Sequence, residues 1–99
     1  MITKQTLYNH QCTGKPLIYD YGFNEYVTIR PTHITKTQGK HFWFEAMIED
    51  NKNISDKKYY AIGSIHSFSN AFISESLKQK DQENEKYKKT QIKFLKSFI

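Results

Sequence analysis

The chain is poor in the residues that cross-link small proteins. Among its 99 residues there is one cysteine, Cys12. No internal disulfide can form, and a reducing, cytoplasmic compartment is the expectation. No apolar run approaches the roughly 18 residues that a membrane-spanning helix needs, and no charged-then-apolar leader opens the sequence, so no membrane insertion is expected. The four histidines, His10, His33, His41 and His66, contain no i, i+4 pair, and Cys12 has no companion at ligand spacing. No metal and no cofactor is therefore expected. Arginine is nearly absent: Arg30 stands alone among fifteen basic residues. Because a transferring phosphoryl group is best held by bidentate guanidinium groups, this scarcity weighs against nuclease chemistry. There is no G-x-S-x-G elbow and no phosphate loop, Gly14-Lys15-Pro16 lacking the preceding glycine that such a loop uses. No residue is assigned a catalytic role.

What the chain does have is aromatic surface. Seven tyrosines, seven phenylalanines and Trp43 make up 15% of it, enough large side chains to build a core. A chain of this length buries about two-thirds of its unfolded surface in one core, which predicts a single domain over residues 1–99. Charge is unevenly placed. Residues 1–50 carry five basic and five acidic side chains, so the net charge of +5 falls entirely in the second half. The richness in Lys, Ile and Asn matches AT-rich codons and points to an AT-rich genome; a compact single domain without catalytic spacing is in turn of the sort that bacteriophages and other mobile elements of low-GC bacteria encode, which is the expected origin.

Along the chain, Thr3 is a cap for a short helix through Gln11 that stops before Gly14, although a strand also fits there. Leu17, Tyr19, Tyr21 and Phe23 alternate as a strand does, and Tyr26 to Arg30 resumes the alternation after a turn at Gly22 to Asn24. Pro31 lacks an amide hydrogen and places that strand at an edge or ends it. Thr35 to Lys40 reads as a loop. In His41 to Asp50, Phe42, Phe44, Ala46 and Ile48 share one face while Trp43, Glu45, Met47 and Glu49 share the other, the period-two pattern of a half-buried strand. Asp50 to Asp56 is a polar turn, and Lys58 to Ile65 is the expected return strand, with Gly63 weakening it or marking a bulge.

Beyond Ser67, Phe68, Ala71, Phe72 and Leu77 give a helical apolar side. Residues 78–86 contain nothing apolar and read as a solvated stretch of one helix or a joint between two, with Asp81 as the second cap. In the last segment Tyr87, Ile92, Phe94, Leu95, Phe98 and Ile99 span one arc and Lys86, Lys89, Lys93 and Lys96 the opposite side. The expected architecture is α+β: an antiparallel sheet of three to four strands over about residues 17–66, packed against a C-terminal helical segment over about 67–99.

Three features carry a function. Trp43 lies on the strand face opposite the core, where an aromatic of a basic domain can stack with a base, unless a second layer covers it. The lysine stripe Lys86, Lys89, Lys93 and Lys96 attracts phosphates or an acidic protein surface, or is simply a solvated helix face. Arg30 is the sole guanidinium. Gly39-Lys40-His41-Phe42-Trp43-Phe44 resembles the aromatic strand of RNA-recognition motifs, but that fold sets helices between its strands and mid-chain here has no helical pattern. The expectation is a small non-catalytic binding or inhibitory protein whose partner is nucleic acid or a protein that handles it, such as a host defence nuclease. One alternative is a small ribonuclease toxin using His66, with Glu45 and Glu49 facing it if the register allows. The other is an assembly subunit whose C-terminal helix forms a homodimer.

Overall fold

Thr3 and Gly14 bracket the first helix as helix-end chemistry requires. The computed structural model describes residues 1–83, and in it α1 runs Lys4–Thr13, with the Thr3 side chain accepting a hydrogen bond from the Thr6 amide and Gly14 taking the left-handed conformation at φ 71°. Glycine carries no Cβ penalty there, so the helix ends cleanly. Leu7 turns inward from α1 and is fully buried.

Five antiparallel strands follow: β1 (Leu17–Gly22), β2 (Glu25–Gln38), β3 (His41–Asp50), β4 (Ile65–Ser69) and β5 (Ile73–Ser74), in the sheet order β4-β3-β2-β1-β5. The class is α+β, with five strands in place of three to four. Phe23-Asn24 closes the β1–β2 turn with both residues at positive φ, the requirement of a type I′ hairpin. Gly39-Lys40 closes β2–β3, with glycine at the positive-φ position.

The sheet curls. β2 and β3 separate β1 from β4, yet the rings of Tyr19 and Phe68 are 4.8 Å apart. A 3₁₀ turn of three residues, Asn70–Phe72, carries the chain from β4 on one edge to β5 on the other. Inside the curl lie Leu17, Val27, Ile29, Phe42, Phe44, Ala46, Ile48 and Ile73. Ile2 and Leu7 contribute to this core from the N-terminal side, and Ile54 and Tyr60 from the loop between β3 and β4. Asn70 locks the ends together: its side chain accepts from the Phe42 amide at 3.2 Å and donates to the carbonyls of Ile2 at 2.9 Å and Lys40 at 3.1 Å. A fully buried amide has to be satisfied in this way.

Several elements depart from the sequence pattern. β2 does not end at Pro31 but runs to Gln38, so Thr35 to Gln38 are strand and only Gly39-Lys40 turn. Proline is tolerated inside this central strand because β1 pairs only as far as Leu17↔Ile29. From Pro31 onward no ladder bond on that side is lost, and the Gln11 side chain from α1 caps the Thr32 carbonyl instead. The return strand is not Lys58 to Ile65. Residues 51–64 form a folded loop, with the Tyr60 amide bonded to the Asp56 carbonyl at 3.1 Å, and pairing with β3 begins at Ile65. Residues 67–74 are strand and 3₁₀ turn in place of helix, because Phe68 and Ile73 both turn into the curled sheet.

A second helix, α2, occupies 77–83 of the described residues. Ser76 caps it, accepting from the Gln79 amide at 3.2 Å, so the cap is Ser76 and Asp81 lies within the helix. Nor is this stretch wholly solvated: Lys80 is 5% exposed, its ammonium 5.4 Å from the Tyr26 ring centroid and 3.2 Å from Asp81. The expected terminal helix with Lys86, Lys89, Lys93 and Lys96 lies outside the described residues. Among those described, no helix is long and apolar enough to cross a membrane.

Candidate binding face

The outer face of the curled sheet is built by a departure from strand alternation. β3 alternates without interruption from His41 to Ile48, alternately exposed or half-buried and buried. β2 breaks step twice beside it, between Pro31 and His33 and between Ile34 and Lys36. The extra residues are Thr32 and Thr35. Each uses its hydroxyl to bond the neighbouring strand: Thr32 Oγ1 donates to the Glu45 carbonyl at 3.0 Å and Thr35 Oγ1 to the Trp43 carbonyl at 3.2 Å. A bulge normally leaves ladder groups short of partners, and these hydroxyls supply them.

The consequence is an ordered row. Pro31-Thr32-His33 and Ile34-Thr35-Lys36 repeat a triplet of inward apolar residue, bulged threonine and outward base. Arg30 stands opposite Met47, His33 opposite Glu45 and Lys36 opposite Trp43. Strict alternation would have turned His33 into the core and Ile34 out of it.

Trp43 is half-buried on this face, flanked by Lys36 on β2 and Ser69 on β4, with the Lys36 ammonium 5.3 Å from its ring centroid. Such a contact contributes about 0.5 to 1 kcal/mol at an exposed site. Arg30 shares the face and holds Glu49 through one nitrogen at 3.0 Å, and His33 lies 3.7 Å from Glu45. Glu49 is the extra residue where β3 in turn shifts register, and its second oxygen, Oε2, is buried without a partner among the described residues. Arg30 and Trp43, both singled out from sequence, are thus brought to one surface.

His66 falls elsewhere. It pairs with Ala46, on the inner side of β4, while Glu45 pairs with Ser67 on the outer side. Neither carboxylate faces it across the hairpin. Its Nε2 is 2.9 Å from Ser64 Oγ, and its ring sits 4.7 Å from that of Tyr59 and 5.3 Å from that of Tyr60. Burial, reinforced by the neighbouring Tyr19, pushes the Tyr60 phenol well above the usual tyrosine range.

Two cavities lie among the described residues. One of about 260 Å³ lies at β4, lined by Trp43, Ser67 and Ser69 of the outer face, by His66 of the inner one and by Tyr59 and Tyr60 of the β3–β4 loop. The larger, about 520 Å³, opens between the start of α1 and the β2–β3 turn, with Lys4 and Lys40 as its charged side chains. Among the described residues no three His, Cys, Asp or Glu side chains gather as a metal site would require.

The sequence signal for this face is the threonine triplet. The loop-like polarity of Thr35 to Lys40 hides it, and with it the places of His33 and Lys36. Compared with known proteins, the chain matches no family model, no curated protein and no solved structure.

Proposed function

We propose that this is a small non-catalytic binding or inhibitory protein acting on nucleic acid, or on a protein that handles it such as a host defence nuclease. The outer sheet face around Trp43 is its recognition surface. The observation that carries this reading is the placement of the only tryptophan beside an ordered row of Arg30, His33 and Lys36. A half-buried indole that lines a cavity offers a base about 1 to 3 kcal/mol of stacking energy, and Arg30 and Lys36 beside it can follow a phosphodiester backbone at strand spacing. Residues 1–83 hold ten Lys and Arg against nine Asp and Glu, so most of the net positive charge comes from residues 84–99, where Lys86, Lys89, Lys93 and Lys96 lie. In this reading the lysine-rich segment supplies non-specific attraction and the Trp43 face supplies contact. Single-stranded nucleic acid is the first ligand to try.

The ribonuclease-toxin alternative gains nothing from the geometry, since Arg30 and His66 stand on opposite faces of the sheet.

Trp43 being unique, its fluorescence reports directly on the proposed surface. Titration with single-stranded oligonucleotides at low salt is expected to quench the emission, with the effect fading as salt rises. Replacing Arg30 and Lys36 by Ala should weaken that binding without unfolding the chain. Unchanged emission with every oligonucleotide, together with a nuclease-resistant protein captured from lysate, would move the partner from nucleic acid to protein.

A further inference from the structure

Among the described residues β4 is an edge strand, and the bonding pattern of β3 tells which of its backbone groups face outward. The Ile48 amide donates to the Ser64 carbonyl at 2.9 Å, the Gly63 amide to the Ile48 carbonyl at 2.8 Å, and the Phe42 amide to Asn70 at 3.2 Å. All three bonds leave β3 on its β4 side. Alternation then turns the backbone groups of Phe44 and Ala46 the same way, toward their partners Phe68 and His66. Phe68 and His66 therefore bond into the sheet, and the backbone groups of Ile65 and Ser67 point away from it. Neither of these residues makes a backbone bond to any other element among those described.

Natural edges are usually guarded by lysine, proline or a bulge. This one reads Ile-His-Ser-Phe-Ser, with no Lys, Arg, Asp, Glu or Pro and no register shift. It also has space beside it, because the cavity of about 260 Å³ draws its lining from both faces of the sheet. Ile65, at 59% exposed, and Phe72, at 61%, add apolar surface nearby.

We infer that this edge is a homodimer interface, formed by β4 of a second copy pairing antiparallel about a two-fold axis at Ser67. The strand is its own complement in that register. The amide and carbonyl of Ser67 meet those of the partner's Ser67, Ile65 lies opposite the partner's Ser69 on the outer face, and His66 lies beside the partner's Phe68 on the inner one. No charged side chain meets its own copy. An unrelated extended peptide could use the same backbone groups, but the cavity lining holds no Lys, Arg, Asp or Glu to select one. A continuous sheet across two copies would set both Trp43 faces side by side, since Trp43 pairs with Ser69 at the same edge. This dimer is independent of the helix-mediated one expected from sequence and does not rest on the proposed ligand.

Sedimentation velocity on the full chain, over a range of concentrations and at low and high salt, tests it. A dimer whose dissociation is insensitive to salt is expected. Ser67→Lys places an ammonium beside Glu45 of its own chain, which the fold accepts, and opposite its copy across the axis; it should weaken the dimer at least tenfold with the circular dichroism unchanged. In a Cys12→Ser background, needed because Cys12 is exposed, Ser67→Cys should cross-link on mild oxidation while Ser55→Cys in the exposed β3–β4 loop should not. A monomer at every concentration with no Ser67→Cys cross-link would overturn the inference. So would a dimer that Ser67→Lys leaves intact, which would place the contact elsewhere in the chain.

Discussion

β2 and β3 lie side by side and pair along most of their length, yet they obey different rules. β3 keeps strict period-two alternation and sorts its side chains into Phe42, Phe44, Ala46 and Ile48 within and Trp43, Glu45 and Met47 without. β2 keeps it only to Pro31, then advances three residues for each outward position, from Arg30 to His33 to Lys36. The cause is local: a threonine hydroxyl that reaches the carbonyl of the next strand makes an extra residue affordable in the ladder. Function, in the reading offered above, belongs to the irregular strand as much as to the regular one. β3 supplies the aromatic, and the bulges of β2 set the bases beside it.

The largest expected effect separates the two faces of β3. Phe44 is completely buried and packs on Phe42 and Phe68 at centroid distances of 6.0 and 6.1 Å. Phe44→Ala should cost about 3 to 5 kcal/mol in urea denaturation. Trp43→Ala, one residue away on the half-buried face, should cost on the order of 1 kcal/mol, because part of its surface is already in water. If the two losses came out equal, Trp43 would belong to the interior, and the outer face would cease to be a recognition surface.

The same contrast explains what could be read from sequence. β1 and β3 were legible because each follows a period of two, whereas α1 showed helix caps without a helical apolar period, so a strand fitted its sequence as well. The inward set of β3 is the alternate residues themselves, and Thr3 and Gly14 are ordinary helix caps. The remainder was settled by contacts distant in sequence. Phe68 and Ile73 have helical spacing with Phe72 and Leu77, but the inner face of the curled sheet claims them as strand residues. Tyr60 and Ile54 look like members of a polar hairpin, yet the loop folds back to bury both. Asn70 has no apolar signature at all, although its amide joins residues 2, 40 and 42. Of the binding face, Trp43 and Arg30 could be named from pattern. His33 and Lys36 could not, because a bulge resets the parity that any strand reading depends on.

A middle-sized effect tests whether the bulges depend on their hydroxyls. Thr32→Val and Thr35→Val keep the branched shape and remove the hydroxyl's bond to the next strand, at about 0.5 to 1.5 kcal/mol apiece, and Thr32→Val also removes the 3.2 Å contact with His33 Nδ1. Because the two sites serve one ladder, the double variant should lose more than the sum. The more telling measurement is of His33, whose ring resonances should stay solvent-like in the single variants. Burial of that ring in the double variant would mean that β2 had slipped toward strict alternation, and the basic row would be lost with it.

The smallest effect concerns the turn that feeds β2. Phe23 is 95% exposed and held at φ 56°, with Asn24 at φ 63°. A bulky side chain in the left-handed region is strained, and here no buried contact offsets the strain. Asn-Gly is the preferred pair for this turn type, so Phe23→Asn with Asn24→Gly should raise stability by about 0.5 to 1 kcal/mol, read as a shift in the urea midpoint at unchanged slope. Both positions lie outside the Trp43 face, so oligonucleotide quenching should not change. A stabilised variant that had lost binding would show that the exposed Phe23 ring, and not only the bulged strand, touches the partner.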